Sequence, residues 1–401
     1  MRICFISRFY KPYIKGGAEI YVGKIAEKLA ERGYDVFVIT PSQSKEEITE
    51  DINNVRVYRI SPFNVSCAYE ASEKPIYQKI IYHILDLFNV DSYRKIRKIL
   101  EEERPNIVHI HNYKGLSAAP FKAVKDLKIP LIFTAHDFSL LCVRSTLLNS
   151  KEMICENPPF ICELYKRLQR FLVNGKVEVF TSPSKFVLEK LSSNGFFNEV
   201  PKLVLRNSIE QETYCKIKKN YDTIDILFVG SLSRHKGPNI LIKSFRDIDA
   251  DNLRLHIVGR GPIEEELKKM AKDDWRIIFH GFLSGKALAA IYRRANVTVL
   301  PSICYDNSPL VIYESFMNST PVIASRIGGI PELVTDGYNG VLFEAGNVSE
   351  LTSLINKIAE DPSILEGLER GAYESCKQYQ IEVTLERLIS IYKDLLQKDD
   401  L

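Results

Sequence analysis

The stretch VTVLPSICYDNSPLVIYESFMNSTPVIASRIGGIPELV, Val297–Val334, decides the fold. It opens with an apolar run, Val297 to Leu300, that reads as a buried strand stopped by Pro301. A polar loop follows, Ser302 to Ser308. Pro309 suits the first turn of a helix, where its missing N–H costs nothing. The helix then runs through Leu310, Val311, Tyr313, Glu314 and Met317. A second buried strand, Val322 to Ala324, leads into Gly328-Gly329. This is one βαβ unit with two loops at the same sheet edge, the edge at which open α/β sheets bind ligands.

Two carboxylates stand in this unit. Asp306 lies in the loop and Glu314 eight positions later, inside the helix. A loop that ends at a helix N-terminus offers N–H groups and a positive dipole end, which suit a phosphate. Carboxylates nearby repel phosphate but accept hydrogen bonds from hydroxyls. A ligand carrying both, such as a nucleotide sugar, fits the combination. On spacing alone, Asp306 reads equally well as a helix-start residue and Glu314 as a solvated helix charge.

The totals set the frame. The 401 residues allow two domains with large cores. With 45% hydrophobic and 26% charged residues the composition is that of a globular chain. A net charge of +3 gives no reason to expect a nucleic-acid partner. No apolar run reaches membrane-spanning length, and the opening MRICFISRFY reads as a strand rather than a signal peptide. The expected location is therefore the cytoplasm. Eight scattered cysteines fit a reduced compartment.

Working outward, the chain begins with a strand, Ile3 to Ile6, and a loop holding Gly16-Gly17. A helix follows with Val22, Ile25, Ala26, Leu29 and Ala30 on one face, ended by Gly33. Val36 to Thr40 is the next strand. The glycines do not make G-x-G-x-x-G, so no dinucleotide fingerprint is present. They read as a flexible turn or as backbone that approaches a ligand. Residues 43–54 read as a polar loop and Val55 to Ile60 as a strand. Residues 76–103 carry helical patterns rich in Ile, Leu, Tyr and Phe. Ile107 to His111 is a strand with His109 and His111 on one face, and Pro130 to Thr134 delivers His136-Asp137 at its end. Taken singly, each histidine reads first as a hydrogen-bonded core side chain. Cys142, Cys155 and Cys162 lie in an irregular segment, 138–165. They lack a fourth ligand for structural zinc, since position 165 is Tyr165, and read as ordinary thiols. The lysine-rich segment 210–222 reads as a linker.

A second α/β rhythm starts at Ile224. Strand Ile226 to Val229 runs into GSLSRHKG, with Lys236 just before a helix begun by Pro238. That place suits a phosphate contact, although a plain surface lysine is the equal alternative. Leu253 to Val258 leads into Gly259-Arg260-Gly261-Pro262, and Ile277 to Phe279 leads into Gly281. The chain closes with helices at 348–359, 362–376 and 381–396.

At this point the sequence resembles a family 4 (GT4, group 1) retaining glycosyltransferase of the GT-B fold. The resemblance covers nearly the whole chain, through IKGGAEIYVGKIAEKLAERGYDVFVIT, IVHIHN and TAHDF in the first half. In the second half it rests on FVGSLSRHKG, IVGRGP, IIFHGF, the Val297–Val334 stretch and GYNGVLF. It implies two Rossmann-like parallel-sheet domains facing a central cleft. The first is an acceptor-side domain, 1–208, and the second a donor domain, 209–379, with a helix at about 380–401 crossing back to the first.

The implied activity is transfer of a hexose-type sugar from a UDP- or GDP-sugar to a saccharide or lipid-linked acceptor, with retention and without an essential metal or other cofactor. Glu314 matches the acid that holds the ribose. Asp306 matches the acid at the donor sugar, one methylene shorter than the glutamate usual there. Asn307, Ser308, Pro309 and Leu310 match the segment that meets sugar and phosphates. Lys236 matches the diphosphate-binding lysine. Its usual arginine companion falls at Ser231, which leaves Arg234 or Arg260 as substitutes. Gly16 and Gly17 match the diphosphate loop of the first domain, with Gly259 beside Arg260 in the second. His136 matches the histidine at the donor sugar, and Phe282 and Leu283 the segment at the base. The expected catalytic set is His136, Asp306 and Lys236.

Two other readings share the architecture: a nucleotide-sugar 2-epimerase, which needs no acceptor, and a non-catalytic nucleotide-sugar binder, prompted by Asp306 and Ser231. The aromatics and lysines at 74–98 read either as a membrane-surface helix for a lipid-linked acceptor, at the inner membrane face, or as a core-packed helix pair.

Overall fold

The structure, a computed structural model, describes residues 1–67, 75–208, 210 and 219–398. It divides into two compact units. The first comprises Met1–Thr146, Asn157–Arg206 and Glu382–Leu401, the second Leu147–Glu156 and Asn207–Ile381.

In the first unit β1 (Arg2–Ile6), β2 (Asp35–Pro41), β3 (Ile48–Ile52), β4 (Val55–Ile60), β5 (Ile107–Ile110), β6 (Leu131–Thr134), β7 (Val179–Ser182) and β8 (Lys202–Val204) form one sheet in the order β3-β4-β2-β1-β5-β6-β7-β8. Its connections include α1 (Gly17–Glu31), α2 (Ile76–Leu85), α3 (Val90–Glu103), α4 (Ala119–Asp126), α5 (Phe160–Val173) and α6 (Lys185–Ser192). The central strands are buried on both faces and so read as unbroken apolar runs. Ile3 stands opposite Val36 on one side and Ile107 on the other, so β1 lies between β2 and β5. The strand order reverses there.

The second unit repeats the design. Its sheet runs β11-β10-β9-β12-β13-β14, built from β9 (Ile224–Val229), β10 (Leu253–Val258), β11 (Ile277–Gly281), β12 (Val297–Leu300), β13 (Val322–Ser325) and β14 (Gly340–Phe343), all parallel. The helices are α7 (Pro238–Arg246), α8 (Glu264–Met270), α9 (Gly285–Arg294), α10 (Leu310–Met317), α11 (Val348–Glu360) and α12 (Ile364–Cys376). The core gathers Ile226, Phe228, Leu241, Phe245, Leu255 and Val299 under Leu351 and Ile355 of α11. Each such side chain contributes about 1.5–3 kcal/mol on burial. The order reverses between β9 and β12. A final helix, α13 (Ile381–Lys398), belongs from Glu382 onward to the first unit.

Four expectations are corrected or bounded. Residues 43–54 are not all loop: β3 pairs antiparallel with β4, Ile52 opposite Val55. Asn53 and Asn54 make the turn at positive φ (50° and 63°), which asparagine tolerates. The strand is exposed, so it shows no apolar alternation. Pro309 lies just outside α10 rather than in its first turn, with ψ of 123°. Leu147–Glu156 belongs to the second unit and not to a domain 1–208. There Leu148 bridges Ile154, and the Glu152 carboxylate accepts the His235 N–H at 3.3 Å. The linker expected at 210–222 lies in part outside the described residues.

Candidate active site

At the carboxyl edge of the second sheet two of the expected donor residues, Lys236 and Asp306, meet. Two loops flank the reversal of strand order: Gly230–Gly237 after β9 and Pro301–Pro309 after β12. Such a reversal opens a crevice at the strand ends of an α/β sheet. Lys236 comes from the first loop and Asp306 from the second, and they form an ion pair. Ser302 Oγ donates to the other Asp306 oxygen at 2.7 Å. The Ile303 N–H bonds the His235 carbonyl at 2.9 Å, which ties the two loops together through backbone as well. Burial alone would lower the Lys236 ammonium. The Asp306 carboxylate and the neighbouring Cys304 outweigh it and hold the lysine above its ordinary pKa. Burial, then Asp306, push the Cys304 thiol up to about 12, so it is no nucleophile at neutral pH.

The glycine after β13 makes this arrangement possible. Gly328 has φ of 60°, and a Cβ on it would stand 2.5 Å from the Asp306 carbonyl oxygen. Gly329 N–H then bonds that same carbonyl at 2.7 Å. Asp306 is thus held at both its backbone and its carboxylate.

Glu314 lies on α10, one helix turn past Leu310. The buried Tyr292 hydroxyl of α9 donates to its Oε2 at 2.7 Å. Burial, then Glu314, raise the Tyr292 pKa, so this phenol stays a donor. Tyr292 also packs with Leu227 and Val258, against which the half-buried Leu283 rests. The loop at Gly281–Leu283 and the Glu314 carboxylate thus both meet the cluster that contains Tyr292. Phe282, beside it, is 69% exposed. At the start of α10 the buried Ser308 carries two bonds: its hydroxyl meets Tyr313 OH at 2.5 Å, and its carbonyl accepts Asn207 Nδ2 at 2.9 Å. Asn307 is half-buried, and Ser308, Pro309 and Leu310 bring the helix end to the Asp306 loop.

Three expected donor residues take no part in the bonds just described. Arg234 pairs with Glu266 of α8 at 2.6 Å, and both side chains are exposed. Arg260 is exposed, and no bond holds it beside Lys236. Gly259 is a packing residue: with φ of 140°, its Cβ would fall 1.8 Å from the Gly230 carbonyl oxygen.

In the first unit Gly16 precedes α1 and Gly17 is its first residue. The buried Glu19 carboxylate reaches back to accept the Gly16 N–H at 2.7 Å, which fixes the loop at the helix start. The strand order of this sheet reverses beside β5, and three histidines stack there. His109 and His111 rings lie 4.1 Å apart, and His111 and His136 rings 5.1 Å. His111 Nδ1 and His136 Nε2 share a hydrogen bond of 2.8 Å. His109 Nδ1 meets Tyr392 OH of α13 at 2.8 Å and its Nε2 meets Thr134 Oγ1 at 2.6 Å. Asp137 accepts Ser139 N–H at 2.8 Å and serves a turn. His109, His111, Tyr392, Tyr292 and Ser302 are among the members of these clusters that sequence reading did not assign. The described cysteines form no disulfide, and among the described residues no group of His, Cys, Asp and Glu is placed to hold a metal.

Burial takes the His109 and His136 imidazoles from 6.5 down to about 3, with His136 adding to the effect on His109. The folded chain binds these protons only near pH 3 and the unfolded chain near 6.5. Stability conferred by the neutral stack is thus complete above 6.5 and lost as pH falls toward 3. The denaturant midpoint should drop across that interval, and less in a His109→Gln variant. An equal drop in both would remove the stack as the cause. His136 is likewise neutral at neutral pH, hydrogen-bonded to His111.

Comparison with known proteins identifies the fold and the family. The solved structure of sucrose-phosphate synthase from Thermosynechococcus elongatus superposes with a TM-score of 0.77 at 19% identity, over 99% of both chains. Anabaena Alr3699/HepE, solved in complex with UDP-glucose, gives 0.72 at 18% identity, over 98% of this chain and 100% of that one. The fold is thus that of the GT-B glycosyltransferases. The model of Glycosyltransferase Family 4 matches residues 15–207, and that of Glycosyl transferases group 1 matches 210–378. Between them they span almost the whole chain, which belongs to the family 4, group 1 glycosyltransferases and is an enzyme of that class. A D-inositol 3-phosphate glycosyltransferase of Corynebacterium glutamicum is 26% identical across 100% of this chain and 98% of its own length. An uncharacterized protein in the cps region of Klebsiella pneumoniae is 25% identical across 83% and 87%.

Proposed function

We propose that the chain is a retaining hexosyltransferase that needs no metal. It moves a sugar from a UDP- or GDP-hexose to a saccharide or lipid-linked acceptor, in the synthesis of a cell-surface polysaccharide or glycolipid in the cytoplasm. The observation that carries this reading is the meeting of Lys236 and Asp306 at the strand-order reversal of the second sheet, beside the start of the helix that bears Glu314. A cation and a helix N-terminus suit a diphosphate, and two carboxylates suit hydroxyls.

Breaking the bond from sugar to diphosphate builds negative charge on the leaving group. Lys236 and the backbone N–H groups opening α10 would stabilise it, as preorganised donors do. Asp306 takes the sugar hydroxyls and Glu314 the ribose, fixing the donor where small displacements cost rate steeply. In the donor-bound protein the diphosphate and the sugar hydroxyls replace what Lys236 and Asp306 give each other. His136 would contribute a neutral hydrogen bond to the sugar, and Gly17 a backbone N–H to the diphosphate.

The test is turnover with a panel of nucleotide sugars, UDP-glucose first in view of the HepE complex. Nucleoside diphosphate should appear only when an acceptor is added, undiminished by a chelator, and the product should keep the donor's anomeric configuration. Conversion of the nucleotide sugar without acceptor would make the chain an epimerase, and binding without turnover an inactive binder.

A further inference from the structure

We propose that α2 and α5 of the first unit form a docking surface for an anionic lipid bilayer. This extends the transferase reading to the place where a lipid-linked acceptor would be met, and it rests on separate residues. The signal is apolar side chains at helical spacing on the outer, solvent side. On α2, Ile76, Ile80 and Ile84 recur every four residues and are 78%, 56% and 61% exposed. On α5, Phe160, Leu164 and Phe171 share one face, with the two phenylalanines 79% and 81% exposed. Helices normally turn such a face inward. Here the inward faces are Tyr82 on α2 and Tyr165, Gln169 and Val173 on α5. The neighbouring α3 behaves normally, burying Ile96 and Leu100. Apolar exposure on this scale marks an interaction site.

The two helices rest on the same support. Lys114, in the loop after β5, donates to Tyr165 OH of α5 at 2.8 Å. The same ammonium helps, after burial, to lower His83 near the end of α2 to about 4. Asp86, which ends α2, fixes that loop by accepting Gly115 and Ser117 N–H groups at 2.8 and 3.1 Å.

Charge selects the occupant. α2 carries Lys79 and no acid, and α5 carries Lys166, Arg167 and Arg170 against one carboxylate, Glu163, which Lys166 already pairs at 2.8 Å. A second copy of this chain would set these cations against themselves. A negatively charged lipid surface is complementary to them and takes up the apolar stripes.

The full chain is mixed with sedimentable vesicles of phosphatidylcholine alone, or of phosphatidylcholine and phosphatidylglycerol in equal parts. It should pellet with the mixed vesicles and far less with the neutral ones, and added salt should release it. Ile80→Ser and Phe171→Ser, both at exposed positions, should each weaken partition about tenfold. Arg167→Glu should weaken binding to the mixed vesicles only. Turnover with a water-soluble saccharide acceptor should stay at the wild-type level in all three variants. Absence of pelleting, or pelleting unchanged in the variants, overturns the surface. So does a dimer in light scattering that Ile80→Ser dissolves, which would give these faces to a second copy. Vesicle binding is read without turnover, so failure here is distinguishable from failure of the transferase reading.

Discussion

Lys236→Ala should lower kcat/KM for the nucleotide sugar by about 100- to 1,000-fold, the range for removing a preorganised donor from developing negative charge. The residue also pairs Asp306, so the variant leaves that carboxylate without its cation at the mouth of the donor loops. The control is the Lys236→Ala/Asp306→Asn double variant. Residues in contact are not additive, and here the second substitution removes a carboxylate that would otherwise face the diphosphate alone. The double variant should therefore bind nucleoside diphosphate better than Lys236→Ala does, while still failing to transfer sugar. Equilibrium binding and initial rates on the three proteins decide it. Near-wild-type turnover in Lys236→Ala would remove the lysine from the site, and additive losses would break the proposed coupling.

Glu314→Ala should act on binding rather than on bond breaking. Two charge-assisted hydrogen bonds to ribose hydroxyls are worth about 1.5–3 kcal/mol each, so affinity for the nucleotide should fall about 100-fold or more. The effect should appear mostly in KM, since ribose contacts are the same in ground and transition states. Truncation also leaves the buried Tyr292 hydroxyl without its acceptor. Glu314→Ala/Tyr292→Phe separates the two effects: it should recover stability to denaturant without recovering affinity. If affinity returns with stability, Glu314 supports the loop and does not touch the ribose.

Much of this architecture was legible because parallel strands buried on both faces announce themselves as apolar runs. Ile3 to Ile6, Ile226 to Val229 and Val297 to Leu300 all fall where expected. β3 was hidden for the opposite reason: an exposed edge strand has no apolar alternation to show. The residues 76–103 divide into α2 and α3 at Asp86–Asn89, where Asn89 accepts Ser92 N–H at 3.0 Å and caps the second helix. Within the site, Lys236, Asp306 and Glu314 were each visible beside a helix start or on its face. That Lys236 and Asp306 bond each other was not visible, because 70 residues separate them and only the crossing of the strand order brings their loops together. The pairing of Arg234 with Glu266 was hidden as well, because that partner belongs to the next helix. Strand alternation set His109 and His111 on one face, but Tyr392 lies 283 residues from His109 and no local pattern links them.

The first unit is assembled from three separate lengths of chain, and its last piece follows residue 381. During synthesis, which proceeds at about 5–20 residues per second and favours the earlier domain, the usual order is reversed. The nascent amino-terminal half waits without the hydroxyl that Tyr392 brings to His109, while nearly all of the second unit has already left the ribosome. A chain cut short before that final helix should therefore expose the older half, not the younger, to proteolysis.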